Sequence, residues 1–77
     1  MKMFSRLQYL YSEGFEVAAI TGYNDHEGPH NARITYFEKE PDGNTLIRSE
    51  HFTVQIEEME LCCGLFFSQF PHRSNAD

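Results

Sequence analysis

Apolar and polar positions alternate along the chain with two different spacings, and these spacings divide it into five elements. The first spacing is helical and predicts a helix over residues 2–13. Four apolar residues follow the i, i+4, i+7, i+8 pattern of one helical face: Met3, Leu7, Leu10 and Tyr11. Gly14 follows, and glycine suits the left-handed conformation that often ends a helix.

The middle of the chain predicts strands. Residues 15–23 and 32–40 are rich in Val, Ile, Thr and aromatic residues, which favour strands. The polar stretch 24–31 between them is a loop by its turn chemistry. Residues 41–44, Pro-Asp-Gly-Asn, are the strongest turn signal, because proline presets φ and glycine accepts a positive φ. This turn predicts a hairpin to a third strand that starts at Thr45.

The end of the third strand has two interpretations. Phe52, Val54 and Ile56 alternate with polar residues, which favours a strand that continues through them. Alternatively, Thr53 is the N-cap of a helix. We favour the strand, with a bulge near Ser49.

A second helix is predicted over residues 57–70, and Pro71 ends it. Its apolar stripe consists of Met59, Cys62, Cys63, Phe66 and Phe70. Gly64 costs about 1 kcal/mol inside a helix, so we expect it to allow close packing on a neighbouring element. We expect this helix to be the more buried of the two.

These elements predict an α+β fold in the order α-β-β-β-α. Two hairpin-type connections give a three-stranded antiparallel sheet in the order 1-2-3, with both helices on one face. Residues 1–71 are expected to form one domain and residues 72–77 a flexible tail. On the other face of the sheet we expect an exposed apolar patch that contains Ile20 and Phe37. It would lie beside three basic residues, Arg33, Lys39 and Arg48.

The chain is acidic, and this changes the range of expected partners. Twelve Asp and Glu against six Lys and Arg give a formal charge of −6. Binding to nucleic acid or an anionic membrane is disfavoured, because both need clustered cations, whereas a basic protein surface is a better match. The first fifteen residues lack the apolar core of a signal peptide. Two adjacent cysteines form no disulfide framework, so we expect a cytoplasmic protein.

Candidate chemistry is sparse, and we expect neither an enzyme nor a cofactor. No motif joins a nucleophile to a base, and Cys62 and Cys63 lie on the apolar side of the second helix, where cysteine is usually inert. A metal is also not expected. Four residues of the polar loop could ligate zinc, but they lack the spacing of structural zinc sites. They are Asp25, His26, Glu27 and His30.

The acidic residues are the strongest candidates for a binding surface, because the topology groups them at the two ends of the sheet. One end collects the polar loop and the start of the second helix, and neither segment contains Lys or Arg. Its acids are Asp25, Glu27, Glu57, Glu58 and Glu60. The other end collects Glu13, Glu16, Glu38, Glu40 and Asp42. The predicted partner-binding residues are the first group together with Glu38, Glu40 and Asp42.

Two resemblances extend this interpretation. The element order and the loop segment Gly28-Pro29-His30 resemble the double-stranded-RNA-binding domain. In that family the second helix begins with lysines that grip phosphate. Here Glu57, Glu58 and Glu60 occupy the position, so the resemblance implies the fold but not RNA binding. The short acidic chain without catalytic motifs, with its hairpin and its helix ending at Phe70-Pro71, also resembles small phage-encoded anti-CRISPR inhibitors, some of which mimic nucleic acid.

The sequence therefore predicts a small cytoplasmic inhibitor that blocks a basic, nucleic-acid-binding surface of a larger protein or complex. One alternative is a scaffold or homodimeric module that associates through its sheet face or an edge strand. Another is a degenerate double-stranded-RNA-binding-type domain used for protein–protein contact.

Overall fold

Five elements follow one another in the computed structural model, which describes residues 1–23 and 28–69. They are α1 (Lys2–Ser12), β1 (Glu16–Tyr23), β2 (His30–Lys39), β3 (Thr45–Val54) and α2 (Ile56–Ser68). The predicted order α-β-β-β-α and the α+β class are confirmed. The predicted flexible tail, Phe70 and Pro71 lie outside the described residues.

The three strands form one antiparallel sheet in the predicted order β1-β2-β3. The hairpin between β2 and β3 closes at the predicted turn, where the Glu40 N–H donates to the Asn44 carbonyl at 2.7 Å. Gly43 has a φ of +93°, a value that residues other than glycine rarely adopt. β2 begins two residues earlier than predicted, because His30 already pairs with Val54 of β3.

The sheet contains a bulge, but not where it was predicted. β3 pairs with β2 in continuous register, so the expected bulge near Ser49 is wrong. The register instead shifts between Val17 and Ala19 of β1. Val17 and Ile20 are three residues apart and would point to opposite faces of a regular strand, so one extra residue lets both face the helices. The expectation that Ile20 lies on the face away from the helices is therefore wrong.

Both helices cover the same face of the sheet. The core is formed by three residues of α1, five of the strands and three of α2. These are Met3, Leu7, Leu10, Val17, Ala32, Ile34, Tyr36, Val54, Met59, Cys62 and Phe66. The core residues of α1 have no exposed surface, whereas Leu61 and Phe67 of α2 are largely exposed. The expectation that the second helix is the more buried is therefore wrong, because only one side of this apolar helix meets the sheet.

The junction of β3 and α2 settles the two interpretations of that segment. β3 contains Thr53 and Val54, and Gln55, with extended backbone, is the N-cap of α2. The strand interpretation is confirmed up to Val54, and a helix capped by Thr53 is excluded. No helix in residues 1–23 and 28–69 is long and apolar enough to cross a membrane.

The position where a glycine allows close packing of α2 differs from the predicted one. A Cβ at Gly64 would meet no atom within 4 Å, so the expected close packing at this position is wrong. A Cβ at Gly22 of β1 would lie 2.8 Å from Cε of Met59. The close approach between α2 and the sheet therefore occurs at Gly22.

Candidate functional site

The start of α2 carries three of the predicted partner-binding acids at one end of the sheet. β1 ends and β2 begins at this same end, since Tyr23 pairs with Asn31. Glu57 and Glu60 are exposed, and neither forms an ion pair with any described Lys or Arg. The positive end of the helix dipole favours carboxylates in the first turn of α2, which contains Glu57 and Glu58. Asp25 and Glu27 lie outside the described residues, so their place beside these acids stays a prediction.

Glu58 differs from its two neighbours because it has a structural partner. Its Oε2 accepts a hydrogen bond of 3.0 Å from the backbone N–H of Phe4. That N–H belongs to the first turn of α1, where backbone donors lack partners within the helix. Glu58 thus joins α2 to the start of α1. Lys2 lines the same shallow cavity of about 480 Å³ as Glu58, so a basic residue from α1 reaches this acidic end.

Two of the five acids at the opposite end are occupied by local contacts. Oε1 of Glu38 accepts a hydrogen bond of 2.6 Å from Nε of Arg48. Asp42 stabilises the hairpin turn, because its Oδ1 accepts from the Asn44 N–H at 2.9 Å. Glu40 is partly buried, whereas Glu13 and Glu16 are exposed. Of the three acids predicted to bind a partner here, two therefore have a structural role.

A cluster that the sequence did not predict joins α1 to the sheet. Nε and one terminal nitrogen of Arg6 each donate to a different oxygen of Glu50, both at 2.8 Å. The hydroxyl of Tyr36 donates to Oε2 of Glu50 at 2.7 Å. The Arg6 guanidinium also lies 5.0 Å from the centre of the Tyr9 ring, within range of a cation–π interaction.

The electrostatics of this cluster follow from those contacts. The hydrogen bond from Arg6 lowers the pKa of Glu50, since it stabilises the ionised carboxylate. The pKa of Tyr36 is raised, chiefly because its hydroxyl donates to that carboxylate and also because of burial. These shifts keep Glu50 ionised and Tyr36 neutral at neutral pH. The cluster therefore acts as a structural contact between α1 and the sheet.

One signal in the sequence could have found this cluster. Glu50 alternates with Phe52 and Val54, so it occupies a position on the inner face of β3. A charge on the inner face needs a hydrogen-bonded partner. That reasoning would have predicted a cation near Glu50, although not which one.

The face of the sheet away from the helices is open and differs in charge from the rest of the surface. Ala32, Ile34 and Tyr36 face the core, so alternation along β2 places Arg33, Phe37 and Lys39 on the outer face. Phe37 pairs there with Ile47, which is 70% exposed. The predicted position of Phe37 agrees with this arrangement.

Arg48 does not belong to the outer face. It pairs with Tyr36, whose side chain points towards the core, and it binds Glu38 on the helix side. The expectation that Arg48 lies beside the apolar patch is therefore wrong. Glu16, which pairs with Phe37, is the acid that the described strands place on the outer face.

The cysteines have the chemistry of core residues. Cys62 is fully buried, and burial raises the pKa of its thiol to about 11, so the thiol is protonated at neutral pH. Cys63 is partly buried. Within residues 1–23 and 28–69 no three His, Cys, Asp or Glu side chains are grouped to hold a metal ion. Asp25, His26 and Glu27 of the candidate zinc loop lie outside this part of the chain.

Comparisons with known proteins add no family to this description. No protein-family model, curated protein or solved structure matches the chain.

Proposed function

We propose that the protein is a small acidic, non-enzymatic inhibitor, for example a phage anti-CRISPR protein, that covers a basic, nucleic-acid-binding surface of a larger protein or complex. The observation that carries this proposal is the pair Glu57 and Glu60. Both are exposed at the start of α2 and free of ion pairs with the described Lys and Arg residues.

The use of basic residues elsewhere supports the same proposal. Arg6 binds Glu50 and Arg48 binds Glu38, so two of the six basic residues of the chain form internal ion pairs. Arg33 and Lys39 lie on the outer face of the sheet. The start of α2 is thus a negative surface, with Lys2 of α1 lining the same cavity as Glu58. Such a surface would orient the protein towards a positive partner and raise its association rate.

The structure also changes how this proposal should be tested. Glu58 should be left intact, because its contact with the Phe4 N–H contributes to folding. The test variant is therefore Glu57→Lys with Glu60→Lys. A matched control is Glu13→Lys with Glu16→Lys, which makes the same change in net charge with exposed residues at the opposite end.

The measurement is the association rate with a partner recovered by affinity capture from the source cells, over a series of salt concentrations. We expect the Glu57/Glu60 variant to associate about tenfold or more slowly at low salt, and the control to change much less. The difference should shrink as salt screens the charges. If both variants associate more slowly than wild type by the same factor, the effect is one of net charge alone. If both associate at the wild-type rate, the acidic surface is rejected as the binding site.

A further inference from the structure

The outer edge of β3 lacks most of the features that protect an edge strand. Its two charged inner-face residues, Arg48 and Glu50, are each paired with an opposite charge of the same copy. Within residues 1–23 and 28–69, β3 pairs only with β2. It is ten residues long and contains no bulge, glycine, proline or lysine. The edge strand β1, in contrast, is interrupted by its bulge. Long regular edges are templates for pairing with another strand, so natural proteins normally block them.

The hydrogen bonds of the hairpin show which groups of β3 face this open edge. The Glu40 N–H donates to the Asn44 carbonyl, and the register then makes every second residue from Leu46 onwards a hydrogen-bonded partner of β2. The residues between them direct their N–H and C=O groups outwards. They are Thr45, Ile47, Ser49, His51 and Thr53. The distance of 3.3 Å between the hydroxyls of Ser49 and Thr35 agrees, because side chains lie closer in non-hydrogen-bonded pairs.

The inner-face residues of β3 are complementary about Ser49, although Ile47 and His51 on the outer face are unlike. Arg48 and Glu50, one residue on either side, carry opposite charges. Leu46 and Phe52, three residues away, are both apolar. If a second copy of β3 pairs antiparallel with its two-fold axis at Ser49, each Leu46 lies opposite the other copy's Phe52. Each Arg48 lies opposite the other copy's Glu50, so the internal pairs Arg48–Glu38 and Arg6–Glu50 join into one alternating charge network across the axis. Cross-strand pairs of these kinds are stabilising.

Neighbouring registers are less favourable for a reason that is also electrostatic. An axis at Arg48 would place two arginines opposite each other, and an axis at Glu50 would place two glutamates opposite each other. Sliding one strand along the other by a single residue would instead place the axis between two residues. Inner-face side chains would then lie opposite outer-face ones, which the pleat forbids. Ser49 is the centre that places each Arg48 opposite a Glu50.

We propose that the protein forms a homodimer in which β3 of one copy pairs antiparallel with β3 of a second copy about Ser49. The two sheets join into one sheet of six strands, three from each copy. The arrangement is closed by its two-fold symmetry, so it ends at the dimer and removes the exposed edge. It goes beyond the proposed inhibitor function, since the interface uses neither Glu57 nor Glu60.

The first test measures the oligomeric state of the purified protein by analytical ultracentrifugation across a concentration series. We expect wild type to dimerise and Ser49→Pro to weaken the dimer about tenfold or more, because proline removes the N–H that each Ser49 donates across the axis. That N–H faces away from β2, so the hairpin keeps its own hydrogen bonds and the circular dichroism spectrum should be unchanged. Ser49→Ala is the control and should dimerise like wild type. A wild-type protein that stays monomeric at every concentration would overturn the proposal.

The second test fixes the register by disulfide formation after oxidation with oxidised glutathione. Opposed residues of a hydrogen-bonded pair have Cα atoms about 5.5 Å apart, a distance that a disulfide spans. Ser49→Cys should therefore form a covalent dimer, whereas Ile47→Cys and His51→Cys should each form far less of it. Mass spectrometry of the linked peptides would separate these products from links through Cys63. Equal cross-linking of all three variants, or linkage favouring residue 47 or 51, would reject an axis at Ser49.

Discussion

At the scale of single residues, the charges of this acidic chain serve structure in several places. Glu58 supplies an acceptor to the first turn of α1, and Glu38 binds Arg48. Glu50 is the most connected acid of the described residues, with hydrogen bonds from Arg6 and Tyr36. Charge alone does not distinguish a carboxylate that holds a helix against a strand from an acid on the free surface. Only its contacts identify it.

We predict that Glu50→Gln lowers the free energy of unfolding by about 1–2 kcal/mol at pH 7, because the charge-assisted bonds to Arg6 and Tyr36 weaken. This value lies at the low end for charged hydrogen bonds, since the Arg6 and Glu50 side chains are 38% and 29% exposed and partly screened. The measurement is chemical denaturation of both proteins. Glu60→Gln, an exposed acid, is the control and should change stability by less than about 0.5 kcal/mol.

The difference in stability between wild type and Glu50→Gln should depend on pH, and the direction of this dependence follows from the pKa of Glu50. The pKa of Glu50 is lower in the folded protein than in the unfolded chain. Its ionised form therefore contributes stability above the unfolded pKa of about 4.3, and this contribution is lost as the pH falls through the folded pKa. The stability difference between wild type and Glu50→Gln should be largest above that unfolded value and shrink in acid. A difference that stays constant down to the lowest pH would contradict this role.

At the scale of elements, α2 is apolar on more of its surface than the sheet can cover. Met59, Cys62 and Phe66 face the core, while Leu61 and Phe67 remain exposed. Gly64 lies on the exposed side, with open space where a Cβ would be. The helix is therefore held by one side only, and its own propensity contributes to its stability.

We predict that Gly64→Ala raises the free energy of unfolding by about 0.5–1 kcal/mol, because alanine is the better helix former and the added methyl group meets no atom. Gly22→Ala is the matched contrast. Its Cβ would lie 2.8 Å from the end of the flexible Met59 side chain, which has to move, so this change should stabilise the protein less than Gly64→Ala does. Thermal unfolding of the two variants beside wild type makes the comparison. A destabilised Gly64→Ala protein would mean that this side of α2 is covered.

At the scale of the whole molecule, the formal charge of −6 is distributed unevenly. The described acids lie mainly at the two ends of the sheet and on its helix side, whereas Arg33 and Lys39 lie on the open outer face. Repulsion between like charges opposes folding of so small a domain. The ion pairs of Arg6 and Arg48 offset a part of that repulsion.

We predict that added sodium chloride raises the melting temperature by a few degrees, because screening of the excess negative charge outweighs the weakening of the two ion pairs. The Glu57→Lys, Glu60→Lys variant should show a smaller increase, since it has less repulsion to screen. Thermal melts of both proteins over the same salt series test this. A melting temperature that falls with salt would show that the ion pairs dominate.

The sequence by itself determined the elements and their order. Helical spacing places Met3, Leu7 and Leu10 on one face, and the Pro-Asp-Gly-Asn turn fixes the hairpin. Periodicity and turn chemistry act over a few neighbouring residues, so they can be read locally.

Tertiary structure alone decided which side chains meet. Phe4 and Glu58 are 54 residues apart, and Arg6 and Glu50 are 44 apart. Their contacts depend on how the helices lie on the sheet, which no local pattern encodes. The bulge at Val17 and Ala19 has the same origin, because it arises from the need to bury Val17 and Ile20 on one face. Which acids remain free to bind a partner follows from these contacts and not from their number in the sequence.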